Sequence, residues 1–237
     1  MNPKVAKLKS SVFSVMMRNY LRSETRRQGN MVITGFPKSG TTWVSQVVAS
    51  YLGLDYRRND VRFQTRGALL HTHSIDFAGG SNVIYVARDP REAICSAARA
   101  ASAAGEQAVF DNEGKILPSF VEATMASFPG ATTSMKRHYA ACVEREWPLI
   151  RFEDLKQEPM PALSDALSRC AKEIDCARLQ AALDEFDFTK LKAKSGGDVF
   201  LAQSSLSSWK ELLPAAALSA IVREVGEEAS RLGYDLD

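Results

Sequence analysis

The chain has little of what would narrow its chemistry at first sight. It holds only four cysteines, Cys95, Cys142, Cys170 and Cys176, and no two of them form a CxxC pair. Zinc-site and thioredoxin-like chemistry are therefore not indicated, and reduced, mostly buried thiols in a cytosolic protein are expected. No run of 18 apolar residues is present, so no transmembrane helix is expected. The apolar stretch from Val12 to Met17 is short, contains Ser14 and runs into Arg18 in place of a small-residue cleavage site, so no signal peptide is expected. Net charge is only +2 over 237 residues, and no strong field argues for nucleic acid. Internal repeats and low-complexity tracts are missing too.

What charge there is lies unevenly. Residues 1–28 carry Lys4, Lys7, Lys9, Arg18, Arg22, Arg26 and Arg27 against Glu24 alone, a basic arm on a mildly acidic body. Val5, Leu8, Val12, Val15 and Met16 recur at helical spacing, predicting an amphipathic helix over 5–21. Such a helix can pack on the body, lie on an anionic membrane, or guide an anionic ligand.

Beyond the arm, strands and helices alternate. Met31–Thr34 is a short apolar run ending in Gly35, and Trp43 to Leu52 has helical length and spacing before Gly53. A polar stretch, 55–66, leads to a second short strand at Ala68-Leu69-Leu70 and then His71-Thr72-His73. Gly79-Gly80 is a turn, and Asn82–Ala87 is apolar on both faces and β-branched, the clearest strand. Asp89, Pro90 and Glu92 read as N-cap, N1 and the closing residue of a capping box for a helix to about Ala103. Residues 106–130 read as a mobile segment with one short helix near Phe120 to Phe128. Helices at 132–146, 160–171 and 176–184, a strand over 148–152, a polar loop over 192–208 and a final helix from Pro214 to Gly233 complete the chain.

This alternation predicts a single α/β domain: a P-loop-like central parallel sheet with helices on both faces. Ligands in such folds bind at the carboxyl ends of the strands. Segments 35–43, 71–73 and 88–96 each follow a predicted strand and should meet at one edge of the sheet.

The first of these segments is nearly a nucleotide-binding P-loop, GxxxxGK[ST]. Gly35 and Gly40 have the required separation, but Thr41 stands where the lysine belongs and the lysine is inside the loop as Lys38. The physical logic survives: a strand feeds a tight loop that opens a helix, whose N–H groups face an anion. Thr41 and Thr42 add hydroxyl donors. Lys38, on the crown of the loop, suits a bridging or leaving oxygen.

At Pro37-Lys38-Ser39-Gly40-Thr41-Thr42-Trp43 the sequence resembles the sulfotransferases that use 3′-phosphoadenosine-5′-phosphosulfate (PAPS), whose signature PKSGTTW stands here complete. The resemblance implies that residues 29–237 form a sulfotransferase domain, with residues 1–28 part of it or appended. It implies that Lys38 contacts the bridging oxygen of the donor, that Ser39, Gly40, Thr41 and Thr42 hold its 5′-phosphate, and that Trp43 stacks on adenine. Arg88 after a strand, with Ser96 eight positions on, has the form of the family's second signature, which holds the 3′-phosphate. Phe152-Glu153-Asp154-Leu155 resembles the family's YEDL, with Phe152 for tyrosine beside adenine. Ser208-Trp209-Lys210 resembles a later element, but the RKG that precedes it is absent. Ala202-Gln203-Ser204 occupies those positions, and Lys192 or Lys194 could substitute.

Sulfuryl transfer to a hydroxyl needs a base, and histidine suits that role near neutral pH. Of the three histidines, His73 matches the family's K-[TS]-H catalytic position and His71 replaces its lysine. No metal is required. The expected function is transfer of a sulfuryl group from PAPS, leaving PAP (3′,5′-adenosine diphosphate), to a hydroxyl of a small molecule or glycoconjugate. The expected place is the cytoplasm, with peripheral membrane contact through residues 1–28 as an alternative. Competing readings are an ATP-using P-loop kinase of small molecules and a non-catalytic nucleotide-binding protein.

Overall fold

The computed structural model describes residues 31–58, 68–75, 82–106, 108–129, 131, 133–170, 172–187 and 209–236. The expected helix 5–21, the turn at Gly79-Gly80, the loop 192–208 and the positions of the absent RKG lie outside the described residues.

Among the described residues, five strands form one sheet: β1 Met31–Thr34, β2 Asp55–Arg58, β3 Ala68–His71, β4 Val83–Ala87 and β5 Leu149–Arg151. Their order is β2-β3-β1-β4-β5, and every pairing is parallel. Side chains alternate between two cores, as the pleat requires. Val32, Leu70, Val83, Tyr85 and Ala87 face one core, while Met31, Ile33, Leu69, Ile84, Val86 and Ile150 face the other. The inner strands β1, β3 and β4 are buried along their whole length and read as nearly continuous apolar runs because both faces are covered.

Helices α2 Pro90–Ala103, α3 Pro118–Ala126, α4 Met135–Glu144 and α9 Ala215–Arg231 cover the first face. Helices α1 Thr41–Leu52, α5 Phe152–Gln157, α6 Pro159–Arg169 and α7 Cys176–Glu185 cover the second. A single turn, α8 Trp209–Leu212, precedes α9. The sheet is the α/β layer expected from the alternation, with β1 at its centre, β3 and β2 on one side and β4 and β5 on the other. The loop after β1 therefore stands where the strand order reverses, the crevice in which open α/β sheets place ligands.

Four sequence expectations change. The polar stretch after Gly53 contains a strand, β2, which pairs with β3 along the sheet edge. Its polarity suits that edge position, where one side has no neighbouring strand among the described residues. Within the segment read as mobile, Val109, Ile116, Val121 and Met125 are buried in the first core, and Phe110 bridges Ile116. The capping box at α2 is only half built. Asp89 accepts from the Arg91 N–H at 2.8 Å, but the Asp89 N–H donates to Glu153 Oε1 at 3.1 Å. Glu92 instead pairs with Arg88 at 3.4 Å. The strand expected over 148–152 also stops at Arg151, and Phe152 opens α5 with Glu153 and Asp154 in its first turn, where acidic groups suit the helix dipole.

Cys95, Cys142 and Cys170 are free and buried, and Cys176 is free and exposed. Burial pushes the Cys95 and Cys142 thiols up to about 12, so neither is a reactive thiolate.

Candidate active site

The loop between β1 and α1 is held in a conformation that costs its residues. Lys38 has φ 73, a left-handed geometry disfavoured for a side chain of this kind. Such strain persists only where the surroundings over-determine it. Here the Lys38 carbonyl accepts from Arg88 Nη1 at 3.2 Å, and the Ser39 N–H donates to the Phe36 carbonyl at 3.3 Å. Gly40 caps α1 with φ 88, and a Cβ there would lie 2.5 Å from the Phe152 ring. A Cβ on Gly35 would lie 2.2 Å from the Val86 carbonyl oxygen of β4. Close approach thus requires glycine at both positions, and at Gly40 the left-handed backbone requires it as well.

The first turn of α1 leaves N–H groups without intrahelical partners. Thr41 is buried there and Thr42 half-buried. Ser39 is fully buried, and its Oγ has no hydrogen-bond partner among the described residues.

The turn after β3 folds onto this loop. The Thr72 N–H donates to the Ile33 carbonyl at 3.1 Å, and the Thr34 hydroxyl donates to the Ser74 carbonyl at 2.9 Å. His73 Nδ1 stands 2.9 Å from the Gly35 carbonyl oxygen. A carbonyl only accepts, so Nδ1 carries the proton and the lone pair of the neutral ring is on Nε2. Beneath it, His138 Nε2 donates to the His73 carbonyl at 2.9 Å. His138 is fully buried, and burial holds its pKa down to about 3. It is therefore a neutral strut, a role that its place inside a predicted helix did not reveal. His71 is buried, with Nε2 2.9 Å from Thr41 Oγ1 and Nδ1 3.2 Å from the Tyr56 hydroxyl.

Arg88 closes the other side. It directly follows β4, is 8% exposed, and its guanidinium lies 4.6 Å from the centroid of the Phe152 ring. Burial lowers its pKa, against the opposing pull of Glu92 and Glu153. Its Nε has no hydrogen-bond partner among the described residues. The buried Tyr139 hydroxyl donates to the Arg88 carbonyl at 2.6 Å, and Glu153 ties the segment to the C-terminus by accepting from Tyr234 at 3.0 Å. Tyr139 and His138 are supports that no local pattern marks, and Glu153, although part of the Phe152–Leu155 segment, likewise acts on partners far away in sequence. Ser96 is buried in α2, two turns beyond the Asp89 cap.

Trp43 and Phe152 share a cleft of about 580 Å³ with Leu155, Met160 and Leu183. The indole N–H of Trp43 donates to the Phe186 carbonyl at 2.7 Å, which fixes the ring. Trp209 lies under Arg91, whose guanidinium carbon is 4.3 Å from the ring centroid. The structure thus brings Lys38, Ser39, Gly40, Thr41, His71, His73 and Arg88 around one loop. Trp43 and Phe152 stand beside it. Among the described residues, no group of three His, Cys, Asp or Glu side chains is placed to hold a metal ion. No helix among them is long and apolar enough to cross a membrane.

No family model matches the sequence, and no curated protein matches it. Solved structures do match the fold. The crystal structure of mouse sulfotransferase SULT7A1 complexed with PAP superposes with a TM-score of 0.65 at 13% identity, covering 89% of this chain and 88% of that one. The chain is an α/β domain with the fold of that mouse enzyme.

Proposed function

We propose that the chain transfers a sulfuryl group from PAPS to a hydroxyl acceptor. The observation that carries this reading is a pair of buried polar atoms flanking Lys38. Among the described residues, Ser39 Oγ and Arg88 Nε have no hydrogen-bond partner although both residues are buried. Leaving such a group unsatisfied costs about 1–3 kcal/mol. Phosphate oxygens at the N-terminus of α1 would satisfy donors of this kind. A fold shared with a protein captured with PAP supports the same ligand.

In this reading Ser39, Gly40, Thr41 and Thr42 hold the 5′-phosphate, Arg88 and Ser96 hold the 3′-phosphate, and Trp43 and Phe152 flank the adenine. As the acceptor oxygen bonds to sulfur, the bond from sulfur to the phosphate oxygen breaks and its electron pair stays on that oxygen. Lys38 offsets the charge that develops there, and His73 Nε2 takes the acceptor's proton. The products are PAP and a sulfate ester. The acceptor is a hydroxyl of a small molecule or glycoconjugate, met in the cytoplasm or at a membrane surface that the basic residues 1–28 touch.

Calorimetric titration with PAP, ADP and ATP, with and without magnesium, tests the donor. Tight PAP binding without magnesium is expected. A preference for ATP would replace this reading with that of a P-loop kinase.

A further inference from the structure

The proposed reaction gives His71 no task, yet its ring is among the best-placed groups of the site. His71 ends β3, pairs in register with Ile33 and is 1% exposed. Its Nε2 is 2.9 Å from Thr41 Oγ1 and its Nδ1 is 3.2 Å from the Tyr56 hydroxyl. The Tyr56 and His71 rings stack with an interplanar angle of 18°. Thr41 is the first residue of α1, 3% exposed, directly behind the left-handed Gly40.

A neutral imidazole donates at one nitrogen and accepts at the other. Two arrangements therefore fit the distances. In one, Thr41 spends its proton on His71 and offers only lone pairs to an anion. In the other, Tyr56 donates to Nδ1 and Nε2–H donates to Thr41, which keeps its own proton. A phenol is more acidic than an aliphatic hydroxyl and is the better donor to an imidazole nitrogen, so the second arrangement is favoured even before a ligand arrives. An anion at the helix N-terminus favours it further, since it can accept from Thr41.

We propose that His71 is a positioning residue that orients the Thr41 hydroxyl as a donor to the bound anion, through the relay Tyr56 O–H to His71 Nδ1 and His71 Nε2–H to Thr41 Oγ1. The relay itself stands on the geometry. Naming the anion as the 5′-phosphate of PAP or PAPS rests on the function proposed above. At this position a directed neutral donor takes the place of the lysine of the resembling family, so the anion meets an aligned hydroxyl and not a second ammonium charge.

Only three histidines are present, so one spectrum can judge the relay. In a long-range proton–nitrogen correlation spectrum of the ¹⁵N-labelled full chain, His73 and His138 serve as references, because each faces a carbonyl oxygen through Nδ1 and Nε2 respectively. The relay requires His71 to be protonated at Nε2 alone. Protonation at Nδ1, alone or together with Nε2, overturns it.

Calorimetry with PAP separates positioning from simple support. His71→Phe should weaken PAP binding about tenfold, the scale of one hydrogen bond to a charged group. In a Thr41→Val background the same change should cost nothing more. Independent, multiplying losses, or unchanged binding in His71→Phe, overturn the proposal. Should His71→Phe not fold, Tyr56→Phe deletes one oxygen only. It should abolish the pure Nε2 state of His71 and weaken PAP binding, and an unchanged spectrum overturns the relay. Failure of the wild-type chain to bind PAP would overturn the assignment of the anion, while the spectrum still decides the relay.

Discussion

His73 Nδ1 lies 2.9 Å from the carbonyl oxygen of Gly35, the residue that opens the loop between β1 and α1. The proposed base is thus fastened to the backbone of the element proposed to hold the donor. Its tautomer is fixed by the same bond, and the basic nitrogen is the one turned away from the loop carbonyl. Replacing His73 by Ala should lower turnover by about 10² to 10⁴. PAP affinity should stay close to wild type, since the loop keeps its clasp to Arg88 and its own turn. Turnover assays beside calorimetry check this pair of outcomes, and normal turnover would remove His73 from the base role.

His138 gives a pH signature of a different kind. Burial holds its folded pKa to about 3, against an ordinary value near 6.5. Between those limits the unfolded chain takes up a proton that the fold refuses. Stability is therefore lost as pH falls below about 6.5, by about 1.4 kcal/mol per unit from this group. His138→Leu removes that dependence. It also leaves the His73 carbonyl and the Tyr85 hydroxyl without this partner, so the variant should be less stable at pH 7 by about 1–3 kcal/mol. Urea unfolding at pH 7 and pH 5 should find the gap between the two proteins narrower at pH 5. A gap that does not change would mean that His138 is not buried in its neutral form.

The parts of the molecule legible in the sequence are those with a local cause. Met31–Thr34 and Val83–Ala87 announce themselves because strands buried on both faces must be apolar throughout. The start of α2 is legible because Asp89 and Pro90 act on their immediate neighbours. Where the cause is distant, the sequence is silent. Asp55–Arg58 has neither alternation nor an apolar run, and becomes a strand because β3 offers it an edge. Glu92 has the spacing of a capping box, but the Asp89 N–H is taken by Glu153, which is 64 residues away. The site follows the same rule. Lys38 and Arg88 stand in segments whose form is visible locally, while their mutual clasp, and the support of His73 by His138 across 65 residues, exist only after folding.

Gly40 carries two constraints that substitution can separate. Its φ of 88 disfavours any side chain, and an added Cβ would meet the Phe152 ring at 2.5 Å. Gly40→Ala should destabilise the fold by about 1–3 kcal/mol from the backbone alone, with the steric conflict in addition. It should also weaken PAP binding, because the first turn of α1 must shift. Adding Phe152→Ala relieves the clash but not the backbone strain. Thermal unfolding of the two single variants and the double should therefore reveal favourable coupling, with the double variant more stable than the sum of the single losses implies. Simple additivity would mean that the ring gives way without cost.

Arg88 is the residue where a conservative change should be least conservative. Its guanidinium reaches the Lys38 carbonyl, pairs with Glu92 and lies against the Phe152 ring. A planar fork can make these contacts together, whereas a lysine ammonium is a point charge with no face to stack. Arg88→Lys should therefore loosen the left-handed turn at Lys38 as well as weaken the proposed 3′-phosphate contact. PAP and ADP report these effects separately, since only PAP carries a 3′-phosphate. In the wild type PAP should bind more tightly than ADP. In Arg88→Lys the PAP affinity should fall by about tenfold or more, the scale of a charge-assisted hydrogen bond, while ADP affinity falls less. Ser96→Ala should narrow the same difference without touching Lys38. Equal losses for both nucleotides in Arg88→Lys would mean that Arg88 acts only by holding the loop, and the 3′-phosphate would then need another partner.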